Sequence, residues 1–286
     1  MPRPEGDFGA RCVNRMNTGQ ALEHPGDEVR RRRPRRWQRW LLPAGLAAAL
    51  AAWQILTMTE LVPAFLLPSP AAVASRFVRG LSDGSLARHT LVTLSEVLAG
   101  LLLGVLAAAL LGYAVAKSAA VERLLSPYIV ASQAIPIVAI APLLVIWFGP
   151  GRLSKVLIAA LIVFFPVLVN TVVGVRSVPQ DLRELMRSLR ATRWQTFSQL
   201  EIPAALPVLL GGLKIGATLS VIGAVVGEFV GADEGLGFLV NIGRGLYDTA
   251  LVFVSVFLLI AMALALYGLV AWLEGRVSWR AEAEQR

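Results

Sequence analysis

The chain has 286 residues, 56% of them hydrophobic and 16% charged, with a mean hydropathy of +0.65 and a net charge of +8. A soluble domain of this size carries about 25% charged residues, so the deficit excludes an ordinary soluble fold and points to a membrane. One cysteine, Cys12, and two histidines far apart in sequence, His24 and His89, exclude a disulfide framework and offer no metal site.

Residues 1–29 are rich in Gly, Pro and polar side chains and read as disordered. Ten of the 27 basic residues precede position 40, and RRRRPRRWQRW (residues 30–40) abuts the first apolar run. A basic cluster beside a span is the signature of a cytoplasmic anchor facing anionic lipid, not of a nucleic-acid arm. A secretory signal does not fit, because the basic region starts too far in and no cleavage site follows. Residues 1–40 are therefore expected to form a disordered basic cytoplasmic tail.

A spanning helix needs about 20 mainly apolar residues. Six runs qualify: 41–61; 91–116, with Glu96 its only charge; 124–148, uncharged but interrupted by Pro127, Pro136 and Pro142; 156–175, also uncharged; 208–230, containing Lys214 and Glu228; and 250–273. None alternates as a barrel strand would. The expected fold is an all-α integral membrane protein with six transmembrane helices. Lys and Arg set its orientation. With the N-terminus inside, the inner segments hold 20 basic residues and the outer segments six, Arg152 and Lys155 among the latter, while Lys214 lies within a span. Both termini are then cytoplasmic, including a short tail over 275–286.

Between the first two spans, Pro68-Ser69-Pro70 followed by apolar residues suits a short surface helix with Ser69 as cap and Pro70 in its first turn. The glycine-rich outer segment 231–249 has two readings, a gate or docking surface, and an ordinary turn with an interfacial half-helix.

The inner segment DLRELMRSLRATRWQTFSQLEIPAALP (181–207) is too elaborate for a plain connector. Leu182, Leu185, Met186 and Leu189 share one helical face at i, i+3, i+4 and i+7, and Arg183, Arg187 and Arg190 gather on another. Trp194, Phe197 and Leu200 form a second apolar set out of phase with the first. A turn near Ala191 and Thr192, with Thr192 as a cap, realigns them, and Pro203 and Pro207 end the excursion. Two large aromatics on such a loop need a partner groove. The alternative is an amphipathic helix resting on the bilayer with its arginines at the headgroups.

This stretch resembles the cytoplasmic loop of permease subunits of binding-protein-dependent ABC importers: Glu-Ala-Ala, three residues, Gly, nine residues, then Ile-x-Leu-Pro. Glu184 takes the Glu position, Leu185 and Met186 the Ala pair, and Leu200, Ile202 and Pro203 the closing positions, all at matching spacing. ATRWQTF resembles the usual Ala-Ser-x-Trp-x-x-Phe. The likeness runs from about residue 89 to 273. More narrowly the chain is similar to nitrate/sulfonate/taurine-type permeases and their pyrimidine- and riboflavin-precursor relatives. LPSPAAV (67–73) is common to that group, and VIGAVVGEFVGADEGLGFLV (221–240) looks closer to the pyrimidine/riboflavin branch.

The resemblance implies a type I ABC importer (MetI-like) permease fold with a core over 86–274, preceded by a first helix and outer segment over 41–85. It implies a coupling loop over 177–204 that inserts into a separate ABC ATPase. Its ATPase-coupling residues are Glu184, Leu185, Met186, Arg187, Arg190, Ala191, Trp194, Phe197 and Pro203. The implied partners are that ATPase, a second permease copy in a homodimer, an extracytoplasmic substrate-binding protein and the lipid bilayer of a bacterial inner membrane. The sequence departs from the pattern at Arg190, where the family has Gly. An Arg favours continuing the helix over Gly by roughly 0.8 kcal/mol, which sets the local preference against the turn. Leu185 and Met186 also enlarge a face that the family keeps small.

No G-x-x-x-x-G-K-[ST] occurs. The nearest stretch, GYAVAKS (112–118), lacks the second glycine, so ATP and Mg are expected on the partner and no cofactor on this chain. H-E-x-x-H, G-x-S-x-G and clustered intramembrane carboxylates are also lacking, so the chain is not expected to be an enzyme. In the fifth span Gly212, Gly216, Gly223 and Gly227 recur at four-residue spacing within two sets, which allows close helix approach. That approach serves either internal packing or a homodimer seam. Intramembrane polar residues are the candidates for a substrate path: Gln133, Asn170, Thr218, Ser220 and Glu228. Lys214 is expected to snorkel to the headgroups. Glu228 and the scarcity of deep cations disfavour nitrate or sulfonate and suit a neutral heterocycle such as a pyrimidine, thiamine or riboflavin precursor. An aliphatic sulfonate, taurine or nitrate importer is the alternative. An ion-coupled secondary transporter is the rival class, but it calls for internal repeats and midplane acids, which the sequence does not display.

Overall fold

A computed structural model describes residues 38–59, 63 and 65–283 of the chain. The expected disordered stretch 1–29 and the Arg-rich cluster up to Arg36 lie outside the described residues. The described residues from Leu50 on form one compact unit; the described residues before it are the opening of the first helix, α1 (Gln38–Met58). Every described element is helical.

Within the main unit, Trp53 of α1 stacks on Phe253 at 5.6 Å, and its indole N–H donates to the Pro68 carbonyl at 3.1 Å. The surface helix expected after the first span is α2 (Pro70–Ser82). Ser69 Oγ accepts from Ala72 N at 3.2 Å, and Pro70 sits where a missing N–H costs nothing. Then follow α3 (Ser85–Lys117), α4 (Ala119–Gln133), α5 (Ile137–Phe148) and α6 (Arg152–Arg176). The loop carries α7 (Gln180–Ser188) and α8 (Arg193–Thr196). A π turn (Phe197–Glu201) leads into α9 (Ile202–Gly231), and α10 (Leu236–Gly245) and α11 (Thr249–Ala283) complete the chain.

Four helical stretches among the described residues are long and apolar enough to cross a membrane: Ser85–Lys117, Arg152–Arg176, Arg193–Gly231 and Thr249–Arg276. The predicted third span is not straight. It is the pair α4 and α5, bent by 97° at a break closed by Pro136, the N-cap of α5. Pro136 fixes its own φ and disfavours the helical region for Ile135 before it, so the chain turns where a straight span would continue. The predicted first span corresponds to α1, 21 residues long, of which Ala47–Met58 is the apolar part among the described residues. The count of six is therefore not reached within the described residues.

Helix α6 is the axis of the bundle. Ile158, Ala159 and Val163 have no exposed surface, and α3 and α9 pack on either side of it. Glycines make that approach possible. A methyl added at Gly223 would lie 2.5 Å from Ala159 Cα, and one at Gly104 would lie 2.7 Å from the Ala160 carbonyl. Four fifth-span glycines face α6 of the same chain: Gly212 meets Asn170, Gly216 meets Val163 and Val167, Gly223 meets Ala159, and Gly227 meets Lys155. These contacts are all internal to one chain.

Candidate functional site

The loop between α6 and α9 is built from local rules that can be followed residue by residue. Helix α7 stops at Ser188. Ala191 N–H donates to the Met186 carbonyl and Arg190 N–H to the Arg187 carbonyl, both at 2.9 Å. These two bonds satisfy the orphan carbonyls of the helix end and require a left-handed residue between them. That residue is Arg190, at φ +53°. The expectation that Arg would prolong the helix is thus corrected: the turn forms at the family's glycine position without glycine. The next helix explains why. Thr192 Oγ1 accepts from Gln195 N at 3.2 Å while Gln195 Oε1 accepts from Thr192 N at 2.8 Å, a complete capping box. The predicted cap at Thr192 is the one observed. Together these bonds outweigh about 1 kcal/mol of left-handed strain.

The second half of the loop differs from its expected form. Pro203 and Pro207 do not separate an inner helix from the fifth span; the chain is helical without a break from Arg193 to Gly231. The π turn Phe197–Glu201 lies directly before Pro203, where the missing N–H and the ring would otherwise disrupt the ladder.

The loop presents an apolar and basic surface. Leu182, Leu185, Leu189 and Trp194 are exposed, Trp194 at 71%, with Arg187 and Arg190 exposed beside them and Met186 and Ala191 half-buried. Glu184 is exposed and accepts from Gln180 Nε2 at 3.1 Å. Arg183 turns inward instead, donating to the Val175 carbonyl at 2.6 Å. Phe197 is half-buried, edge-on to Tyr113 at 5.1 Å and 5.5 Å from Trp194. Behind these rings a groove of about 700 Å³ is lined by Leu106, Leu110, Tyr113, Trp194, Phe197 and Glu201, among others.

At the far end of the bundle a buried polar network holds α10. Its N-cap, Gly235, offers no side chain, so the orphan N–H groups are met from other helices. Thr93 Oγ1 on α3 accepts from Leu236 N at 2.7 Å, and Glu228 on α9 accepts from Gly237 N. Thr93 Oγ1 also donates to Glu228 Oε1 at 2.6 Å, and His89 Nδ1 accepts from Gly235 N at 2.9 Å. Gly235 sits at φ +120°, and a Cβ there would fall 2.2 Å from the Glu228 carboxylate, so glycine is required on both counts. Beside this network, Glu96 Oε1 lies 3.3 Å from Lys155 Nζ, both side chains buried.

The five path candidates are not brought together. Gln133 is exposed at the end of α4 and Thr218 is half-buried with its hydroxyl on the Ile215 carbonyl. Asn170 is half-buried, donating to the Pro166 carbonyl at 2.8 Å and packing on Gly212. Ser220 is buried, its hydroxyl on the Ala217 carbonyl, and Glu228 is buried as the cap of α10. Lys214 does not reach for headgroups; it pairs with Glu274 of α11 at 2.5 Å, because a carboxylate within reach offers it a better partner than water. Lys155, counted from sequence among the outer cations, is an interior residue of α6.

Sequence reasoning missed one residue here. Glu201, 1% exposed, accepts from Tyr113 Oη at 3.0 Å and pairs with Lys117 Nζ. It occupies the unspecified position between Leu200 and Ile202 of the loop motif, so only its charge just ahead of an apolar span signalled it.

A glycine-packed bundle of apolar helices with an exposed aromatic and basic loop at one end is the membrane-embedded component of a transport assembly. The chain belongs to the family described as binding-protein-dependent transport system inner membrane component, which matches residues 100–279; such chains are the permease subunits of ABC importers. It is 49% identical over 246 residues to the riboflavin transport system permease protein RibX of Chloroflexus aurantiacus, covering 86% of this chain and 92% of that one. It is 38% identical over 217 residues to the formylaminopyrimidine transport permease protein ThiX of Halalkalibacterium halodurans, covering 76% and 86%. Among solved structures, an inward-facing MetNI methionine ABC transporter aligns with TM-score 0.60 at 20% identity, covering 68% of this chain and 97% of that one. That likeness speaks for the type I importer fold alone.

Proposed function

We propose that this permease, as a homodimer, imports a neutral heterocycle of the riboflavin or pyrimidine-precursor class into a bacterial cell. Residues 86–274 form its core, the helix beginning near residue 41 is an addition to that core, and both tails lie in the cytoplasm. The loop 177–204 seats in a groove of a separate ATPase, which holds ATP and Mg, and an extracytoplasmic binding protein delivers the solute to the opposite face. The identity to RibX over most of both chains is the observation that carries the substrate class. Ion pairing supports it. The lysines inside the spans, Lys117, Lys155 and Lys214, are each matched to a carboxylate, which leaves none of them to meet a sulfonate or nitrate. Gln133, Asn170, Thr218 and Ser220 are the polar side chains offered to the path, and Glu228 shapes its far end through α10.

The loop works mechanically in this reading. ATP-driven closure of the ATPase pair draws two loops together, and the bundles rock between two states. Such work requires a stiff loop with an exposed grip, which the helix-end bonds at Arg190, the capping box at Thr192 and the exposed Trp194 supply. The test is a thermal-shift screen of the cognate binding protein against riboflavin, pyrimidine precursors, taurine and nitrate, followed by uptake of the hit into proteoliposomes holding the complete transporter. Riboflavin or a pyrimidine is expected to shift the binding protein and to enter only with ATP. A shift by taurine or nitrate alone overturns the substrate class, and uptake that ignores ATP overturns the mechanism.

A further inference from the structure

Glu201 ends the π turn that joins the loop to the fifth span, and its carboxylate is buried at a point where both neighbours come from one other helix. Tyr113 and Lys117, at i and i+4 on α3, share a face. One donates a hydroxyl to Oε2 at 3.0 Å, and the other pairs with Oε1. Lys117 Nζ also lies 5.7 Å from the Tyr113 ring centroid. Phe197 stands edge-on to the same ring, and Trp194 rests on Phe197. An unbroken line of contacts thus runs from the exposed rim of the loop, through two aromatic rings, to an ion pair with α3 whose carboxylate is buried and whose ammonium reaches the surface.

The links of that line respond differently to a push. Aromatic edges slide past one another at small cost, whereas a buried carboxylate that leaves its cation stays uncompensated in a low-dielectric site, which is strongly unfavourable. The Glu201–Lys117–Tyr113 set therefore moves as one body. The backbone of Glu201 belongs to the loop side, and its partners belong to α3.

We propose that Glu201 is the positioning residue that carries displacement of the loop into α3, so that the ion pair with Lys117 sets how much transport each ATP yields. This rests on the reading of the loop as the ATPase contact. A brace that only stabilises the fold predicts something else: loss of the ion pair would lower hydrolysis and uptake together.

The complete importer, with its ATPase and binding protein, is reconstituted in proteoliposomes, and solute uptake is measured per ATP hydrolysed. Glu201→Gln keeps the side-chain shape and the Tyr113 hydrogen bond but removes the ion pair. Uptake per ATP is expected to fall about tenfold, the scale of a coupling free energy between sites, and the exchanged pair Glu201→Lys with Lys117→Glu is expected to recover part of the loss. Lys117→Gln, at a side chain 39% exposed, reads the same ratio where Glu201→Gln fails to assemble. An unchanged ratio in these variants overturns the proposal. Wild-type importer without ATP-dependent uptake is a separate result and overturns the functional reading on which the proposal stands.

Discussion

Arg190 shows how hydrogen bonds settle a backbone against residue preference. Its left-handed φ is held by two bonds behind it and a capping box ahead of it, so replacing it with glycine removes strain without removing a bond. Arg190→Gly is expected to stabilise the turn by about 1 kcal/mol. The readout is amide hydrogen exchange at Ala191, slowed about fivefold, with Arg190→Ala giving no gain. The position of the turn and the Thr192 cap were legible in sequence, because both follow from contacts within a few residues. That Arg would tolerate the left-handed region was not, since helix propensity counts one residue at a time and the competing bonds involve six. The same limit applies to Lys214 and Glu228, whose partners lie 60 positions away at Glu274 and 135 away at Thr93.

At the scale of elements, hydropathy located the spans well, and the surface helix α2 begins with the predicted cap and proline. Two elements departed from expectation for one reason, proline chemistry. Pro136 bends the third span into α4 and α5, whereas Pro203 is absorbed by the π turn and leaves α9 continuous with the loop. A proline in sequence announces that the ladder is interrupted; whether the chain breaks or bulges depends on what packs there. The glycine stripe of α9 was visible as spacing, and its partner was not. Gly223→Ala forces a methyl to 2.5 Å from the Ala159 backbone, so α6 and α9 must separate at a cost of about 1–3 kcal/mol. The thermal unfolding midpoint in detergent is expected to fall. Gly211→Ala, where no heavy atom lies within 4 Å of the added methyl, leaves that midpoint unchanged or raises it.

For the molecule as a whole, orientation is the claim open to direct measurement. The excess of Lys and Arg on the loop side is the basis for proposing that 177–204 faces the cytoplasm. In a Cys12→Ser background, an impermeant maleimide added to intact spheroplasts is expected to label Leu246→Cys at once and Arg187→Cys only after permeabilisation; both positions are exposed in the bundle. The reverse pattern inverts the topology.

Composition and apolar runs were enough to identify a helical membrane protein, and the resemblance of one loop's motif to assign it to the permeases, because partition into lipid is a sum over neighbouring residues and a motif is a pattern along the chain. The pairing of Lys117 with Glu201, of Lys155 with Glu96 and of Lys214 with Glu274, and the capping of α10 by Thr93 and Glu228, emerged only in the folded bundle. Each joins residues from different helices, and α3 and α9 are brought together by glycine-mediated packing on α6. A charge within a span carries no mark of which neighbour will neutralise it until that packing has placed one beside it.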